Sequence, residues 1–220
     1  MKAAGVKATI SAFLRERGVG GERTPAVIEG GASFAYVAGA VLLFLLAVQA
    51  LSGIALAAFY APTSAEAWAS VAYVQDQMTL GWLVRGLHVH GASAIVVVAG
   101  LHLVQTAVWG AYKKPRELVW WLGLLVMVLI LVWAVTGLVL RWDQVGYWSN
   151  KVEIGIAAAT PVVGDLIKKI ALGGNDYGNL TLTRFYALHT LIVPAVVIGA
   201  VAAHVALARR HGPTQLGEIG

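Results

Sequence analysis

Apolar residues in this chain gather into four long blocks, separated by shorter runs rich in charge, glycine and proline. The blocks run from about Ser33 to Tyr60, Gly81 to Tyr112, Leu118 to Leu140 and Leu182 to Ala208. At ~1.5 Å rise per residue, each is long enough to cross a ~30 Å hydrocarbon layer as one helix. Pro62 closes the first block, and a polar loop from Thr63 to Thr79 follows. The long connection from Arg141 to Thr181 predicts short helices of its own over Trp148–Ala159 and Val162–Leu172, divided near Pro161. Pro194, inside the fourth block, predicts a kink just below His189. Ahead of the first block, residues 5–20 pattern as a short interfacial helix. Val6, Ile10, Phe13 and Leu14 lie on one side of it, with Lys7, Arg15 and Arg17 elsewhere. Gly18, Gly20, Gly21 and Pro25 end it.

Composition agrees with the pattern. Hydrophobic residues make up 59% of the 220 and charged residues only 12%, with a mean hydropathy of +0.75. No ordinary water-soluble domain has this balance, so the expectation is an all-α integral membrane protein, a bundle of four transmembrane helices. The net charge of +5 is not a nucleic-acid footprint, because of where it sits. Lys113, Lys114 and Arg116 share one inter-helix loop, and Arg209, Arg210 and His211 end the last span. Lys2, Lys7, Arg15, Arg17 and Arg23 precede the first. That is the positive-inside pattern, which with four spans predicts both termini on the cytoplasmic side, as in a bacterial inner membrane or its equivalent. The first ~30 residues lack the apolar core of a signal peptide and are expected to stay in place. The organisation expected is an N-terminal cytoplasmic segment (1–32), a four-helix domain (33–210) and a tail (211–220). With no cysteine, disulfides, iron–sulfur ligands and thioether-linked haem are excluded.

The chemistry lies in four histidines within two of the apolar blocks. His88 and His102 are 14 residues apart, and His189 and His204 are 15 apart. Such gaps return each pair to nearly one helix face, ~21–22 Å apart along the axis. Ionisable groups inside a bilayer are expensive, and so mark function. Depth alone pairs His88 with His189 near the outer side and His102 with His204 near the cytoplasmic side. Two imidazoles facing across a gap are the axial set of a six-coordinate haem iron. Two non-covalent b haems at two depths are therefore expected. His90 lies roughly 160° from His88 around the helix and does not fit the pattern. His211 lies past the last span, as a solvated or quinone-proximal group.

Glycines repeat with the same period. Gly39 and Gly53 in the first block, and Gly123 and Gly137 in the third, are each 14 apart. A helix facing the flat of a wide macrocycle must lose its side chain there, which glycine does.

The segments "GWLVRGLHVHGAS", "KKPRELVWWLG", "VTGLVLRWDQVGYW" and "TLTRFYALHTLIVP" resemble cytochrome b of the quinol:cytochrome c/plastocyanin oxidoreductases. The likeness covers about Tyr36 to Arg210 and is nearest to the short four-helix cytochrome b6 form. Arg141 stands where that pattern has proline, and the cysteine for a covalently attached extra haem is absent near Leu45. Position by position, the resemblance implies that Arg85 pairs with a propionate of the outer haem. Gln49 and Gly53 line that haem, and Thr136 and Gly137 give the third-helix contact. Lys113 and Arg116 hold either the propionates of the inner haem or anionic lipid headgroups. Trp142, Asp143, Gln144, Tyr147 and Trp148 roof an outer quinol pocket, for which Trp142, Asp143 and Tyr147 are the candidate catalytic residues. Arg184, Phe185 and Pro194 flank His189 at the same end.

What the resemblance implies is a dihaem subunit of a quinol–cytochrome c reductase type complex. Electrons would pass from outer quinol to a cytoplasmic-side quinone, with proton translocation. The helices that carry the family's quinol-proton glutamate are expected on a separate three- or four-helix subunit. A Rieske-type iron–sulfur protein, a c-type cytochrome and a dimeric complex complete the expectation. The alternative is a dihaem membrane anchor of a dehydrogenase or hydrogenase with a single quinone site. The roof segment "RWDQVGYW" argues against it.

Overall fold

The computed structural model describes residues 2–19 and 36–212. Gly20, Gly21, Arg23, Pro25 and the start of the first expected span at Ser33 lie outside the described residues. Among the described residues the regular structure is helical. The chain runs α1 (Lys2–Glu16), α2 (Ala38–Ala57), α3 (Ala67–Asp76), α4 (Gly81–Val108), α5 (Glu117–Leu138), α6 (Gln144–Ala158), α7 (Gly164–Leu172), α8 (Asn179–Ala187) and α9 (Val193–His211). A 3-10 turn, Val139–Arg141, follows α5, and a π turn, Leu188–Ile192, joins α8 to α9. Four stretches are long and apolar enough to cross a membrane: Ala38–Ala57, Gly81–Val108, Glu117–Arg141 and Asn179–His211.

The structure departs from the sequence reading in several places: the helix of the second span ends at Val108 rather than Tyr112 and α7 starts at Gly164 rather than Val162. The expected polar loop at 63–79 contains α3, because Ala67, Val74 and their neighbours bury a face of their own. The helix α6 starts at Gln144 rather than Trp148. Asp143 caps it by accepting a bond from the Gly146 amide at 2.8 Å, which moves the start upstream. The fourth span starts at Asn179 rather than Leu182 and ends at His211. Pro194 acts through the preceding turn, where the hydrogen-bond register widens to π over Leu188–Ile192.

Contacts divide the chain into two compact units. One comprises Met1–Leu43, Val96–Val128 and Val197–Gly220. Here Arg17, 4% exposed, bridges Glu16 and Glu117 at 3.0 Å each and lies 3.7 Å over the Phe13 ring. Gly18 turns the chain with φ +78°, which glycine alone adopts without cost. The Arg210 guanidinium donates to the Gly18 carbonyl at 2.6 Å, and the His211 Nε2 meets the Arg17 carbonyl at 2.9 Å. Val6, Ile10 and Phe13 stay exposed along α1.

The other unit comprises Phe44–Ile95 and Leu129–Val196. Its apolar core is Val139, Ile154, Leu172 and Phe185, covered by Leu140, Trp142, Ala171 and Tyr177. Thr181 is fully buried and donates to the Leu172 carbonyl at 2.7 Å, tying α8 to the end of α7. Asn150, also buried, accepts from the Tyr177 hydroxyl at 3.1 Å and donates to Glu153 at 3.2 Å.

Candidate functional site

Two of the spanning helices bury polar side chains. On α2 the buried side chains are Gln49 and Ser52, and on α5 they are Ile130 and Thr136. Leu51, Ile54, Trp121 and Leu191 face outward. In hydrocarbon an apolar side chain gains little by turning inward, whereas a polar one needs a partner. The inward polar groups converge on histidines.

Both members of one pair lie in the second unit. The rings of His88 and His189 stand with centroids 6.1 Å apart and planes at 77°. Each Nδ1 is held. His88 Nδ1 lies 3.0 Å from the Ser52 hydroxyl, whose own hydrogen is donated to the Val48 carbonyl at 2.6 Å. Ser52 therefore presents a lone pair, and His88 Nδ1 carries the proton. His189 Nδ1 lies 3.1 Å from the Trp133 carbonyl and 3.2 Å from the Thr136 hydroxyl, which itself donates to Trp133 at 2.8 Å. Again Nδ1 is the protonated nitrogen, and both Nε2 lone pairs are left free. A partner that fixes the Nδ1–H is what orients a metal-ligating imidazole and raises its basicity.

The first unit repeats the arrangement with His204, whose Nδ1 meets the Val119 carbonyl at 3.1 Å. His102 belongs to the same unit. Its Nδ1 is buried without a hydrogen-bond partner. Each sequence-paired set of histidines thus falls within one unit.

The glycines make room for these rings. A methyl at Gly137 would lie 2.5 Å from His189 Cε1, one at Gly53 3.1 Å from His88 Cε1, and one at Gly123 3.2 Å from His204 Cε1. At Gly39 it would meet nothing within 4 Å. Three of the four glycines therefore clear an imidazole edge, and the fourth faces open space. Gln49 is buried against α4, donating to the Leu87 carbonyl at 3.4 Å, and Gly91 admits its amide.

The residues fit a six-coordinate haem. A metal–imidazole bond of ~2 Å on each side of one ion puts ring centres about 6 Å apart, as His88 and His189 are. Among the described residues no group of three or more His, Cys, Asp or Glu could hold a bare ion. Two imidazoles complete the sphere of a metal that brings its other ligands along.

A separate pocket of about 380 Å³ is lined by Trp68, Trp142, Asp143, Gln144 and Tyr147. Trp142 sits in the left-handed region at φ 49°, uncommon for an aromatic residue, where its amide closes the 3-10 turn on Val139. Its ring meets Tyr147 edge-on at 5.6 Å. Asp143 has both oxygens engaged, one capping α6 and the other 2.5 Å from Arg141. It shapes the pocket rather than standing free in it. Behind Tyr147 lies Tyr177, ring centroids 5.1 Å apart. Burial, then Tyr147, Glu153 and Asp176, push the Tyr177 hydroxyl up to about 12.

The remaining expected site residues have protein partners. Arg85 donates to the Gln75 amide oxygen at 2.7 Å. Arg184 donates to the carbonyls of Lys169 and Ile170, capping the end of α7. Arg116 donates to the His211 carbonyl at 3.3 Å, and Lys113 is exposed. His90 is exposed on α4. Sequence reading missed Ser52, Trp133 and Trp68. Trp133, one turn before Gly137, carried a signal, since the two share a helix face; Ser52, next to Gly53, did not.

Comparison with known proteins agrees with this geometry. A family model described as cytochrome b/b6/petB matches residues 24–212. Cytochrome b6 of Cyanidium caldarium is 42% identical over 177 residues, covering 80% of this chain and 82% of that one. Cytochrome b6 of Crocosphaera subtropica is 41% identical, covering 80% of each. A chain of a hyperthermophilic respiratory Complex III superposes with a TM-score of 0.75 at 30% identity. It covers 86% of this chain, which spans about half (52%) of that chain's length. By matched family, relatives and fold together, this chain belongs to the cytochrome b/b6 family, haem-binding membrane proteins of electron transport.

Proposed function

We propose that this chain is the dihaem cytochrome b subunit of a quinol:cytochrome c, or plastocyanin-type acceptor, oxidoreductase. His88 and His189 hold one non-covalent b haem, and His102 and His204 hold the other. The supporting observation is the 6.1 Å imidazole pair with both Nδ1 atoms committed to acceptors and both Nε2 atoms free. A haem held by two imidazoles would supply one-electron transfer there.

The chain's own residues do the rest. Ser52, Thr136 and the carbonyls of Trp133 and Val119 fix the imidazole tautomers. Gly39, Gly53, Gly123 and Gly137 keep side chains off the ring positions, and Gln49 packs beside them. Arg85 is placed to exchange its Gln75 partner for a propionate, as Lys113 or Arg116 would at the other site. The pocket of Trp68, Trp142, Asp143, Gln144 and Tyr147 takes quinol on the outer side, where three aromatic side chains can flank its ring and polar groups can meet its hydroxyls. Quinone is reduced on the cytoplasmic side, and the two half-reactions together move protons outward. Arginine and lysine at 113–116 and 209–210 put both termini in the cytoplasm. A separate three- or four-helix subunit, a Rieske-type iron–sulfur protein and a c-type cytochrome supply the remaining groups, in a dimeric complex.

The test is a redox-titrated visible spectrum of the complex purified from its membrane. Two b-type steps are expected, with His88→Ala removing one and His102→Ala the other. A single step, or none, overturns the reading.

A further inference from the structure

The π turn leaves one backbone group without its usual partner. In an α-helix the His189 carbonyl would take the amide of Val193. That amide is spent on the Leu188 carbonyl instead. In the π register the His189 carbonyl would take the amide of residue 194, which is proline and has none. A buried carbonyl without a donor is not tolerated at membrane depth, so another group must reach it. The Trp133 indole N–H does, at 2.9 Å. The exchange is reciprocal: the Trp133 carbonyl takes the His189 Nδ1–H at 3.1 Å. The two rings also lie close, centroids 6.1 Å apart.

We propose that Trp133 is a positioning residue for the His88/His189 site, fixing the main chain of an iron ligand through its indole and that ligand's tautomer through its carbonyl. The inference rests on the haem reading given above. Ile130 and Thr136 are the buried side chains of α5, and neither has an N–H to offer the stranded carbonyl. Pro194 thereby becomes part of the site, because its missing amide creates the vacancy that Trp133 fills. Loss of the indole donor frees His189 to shift along its helix and lengthens the Nδ1–H bond. A less firmly held Nδ1–H makes the imidazole less basic, and a less basic ligand favours the reduced iron.

The experiment is a redox-titrated visible spectrum of the whole complex carrying Trp133→Phe, which keeps an aromatic ring and removes the donor. The step belonging to His88/His189 is the one His88→Ala abolishes. In Trp133→Phe that step moves to higher potential by up to about tenfold in the oxidised-to-reduced ratio, about 59 mV for one electron. The other step stays in place. Adding Pro194→Ala restores an amide at residue 194 and returns the shifted step toward its original position. Two unshifted steps in Trp133→Phe at full haem content overturn the proposal and leave the haem reading standing. Equal shifts of both steps also overturn it, since a general packing defect would do that. If Trp133→Phe fails to accumulate, Trp133→Phe/Pro194→Ala must accumulate with two haems, and its failure overturns the proposal. Absence of two b-type steps in the unaltered complex refutes the haem reading itself.

Discussion

Gly137→Ala is the sharpest single-atom test of the site. The added methyl would lie 2.5 Å from His189 Cε1, 3.0 Å from Nδ1 and 3.1 Å from Nε2. Ordinary contact between such atoms starts near 3.5 Å, so the imidazole must retreat by about 1 Å. It has little freedom to do so. Its Nδ1 is bonded at 3.1 and 3.2 Å, its carbonyl is taken by the Trp133 indole, and the His88 ring faces it. A 1 Å retreat stretches those Nδ1 contacts to about 4 Å, beyond hydrogen-bond range. The loss is about 1 kcal/mol per bond, on top of about 1–3 kcal/mol of overpacking. Against this, alanine gains up to about 1 kcal/mol of helix propensity over glycine. The balance is a local penalty of about 2–4 kcal/mol, concentrated on His189.

A metal–imidazole bond of about 2 Å does not stretch by half its length, so the penalty reads out as cofactor loss at one site. Haem per polypeptide should fall toward half, and the His88/His189 step should vanish from the titration while the other persists. Gly123→Ala presses on His204 at 3.2 Å and should weaken the other step instead, more mildly. Gly199→Ala meets nothing within 4 Å and serves as the neutral control. Gly39→Ala also meets no protein atom, so any haem lost from that variant reports on a group occupying the space. Full haem content and two unmoved steps in Gly137→Ala would refute the reasoning.

Three further outcomes follow from named contacts. Arg17→Met leaves Glu117 without its 3.0 Å partner and detaches the end of α1. A buried pair broken on one side costs several kcal/mol at most, and with Glu117 partly exposed about 2 kcal/mol is expected in detergent unfolding, less in Glu117→Gln. Asp143→Ala removes the cap of α6 and the partner of Arg141, costing about 1–2 kcal/mol and weakening quinol-analogue binding in the adjacent pocket. Asp143→Asn retains a capping oxygen and should recover most of the stability. Tyr177 gives the pH dependence. Its folded value of about 12 exceeds the ordinary 10.0, so its contribution is complete below about pH 10 and is lost as pH rises toward 12. Tyrosinate absorbance and unfolding temperature followed across that window should show the fall, and Tyr177→Phe should remove it.

Features that depend on one stretch of chain could be read before the fold was known. Hydropathy located α2, α4, α5 and the α8–α9 span because lipid imposes its length on each helix separately. The spacing of His88 with His102, and of His189 with His204, is likewise a property of single helices, so the matched pairs were visible. Contacts that depend on how two helices are rotated against each other were not. Ser52 reaches His88, and Trp133 reaches His189, only once α2 faces α4 and α5 faces the π turn. Periodicity in these helices carries no such information, since α5 is apolar all round. Pro194 announced a disturbance, but the choice of a π turn depends on the Trp133 donor that satisfies the stranded carbonyl. Trp68 reaches the pocket only because residues 67–76 form α3, which the composition of that stretch does not indicate. Arg141, at odds with the resemblance, was explained only by its bond to Asp143.

The polar burial on α2 and α5 explains why the few polar residues of the spans identify the site so well. In water, a core is chosen by apolar surface, and many substitutions of similar size are tolerated. In lipid, Leu51 and Ile54 lose little by facing out, so on α2 apolar burial does not select which face turns inward. Hydrogen bonding does. Ser52 and Thr136 each donate to a carbonyl of their own helix and offer the remaining lone pair to an imidazole. The same bonds that settle these hydroxyls in a low-dielectric interior therefore bear on the helix rotation and the imidazole tautomer together. An apolar replacement that leaves the volume unchanged, Ser52→Ala or Thr136→Val, removes little hydrophobic energy and still removes the instruction that orients the ring.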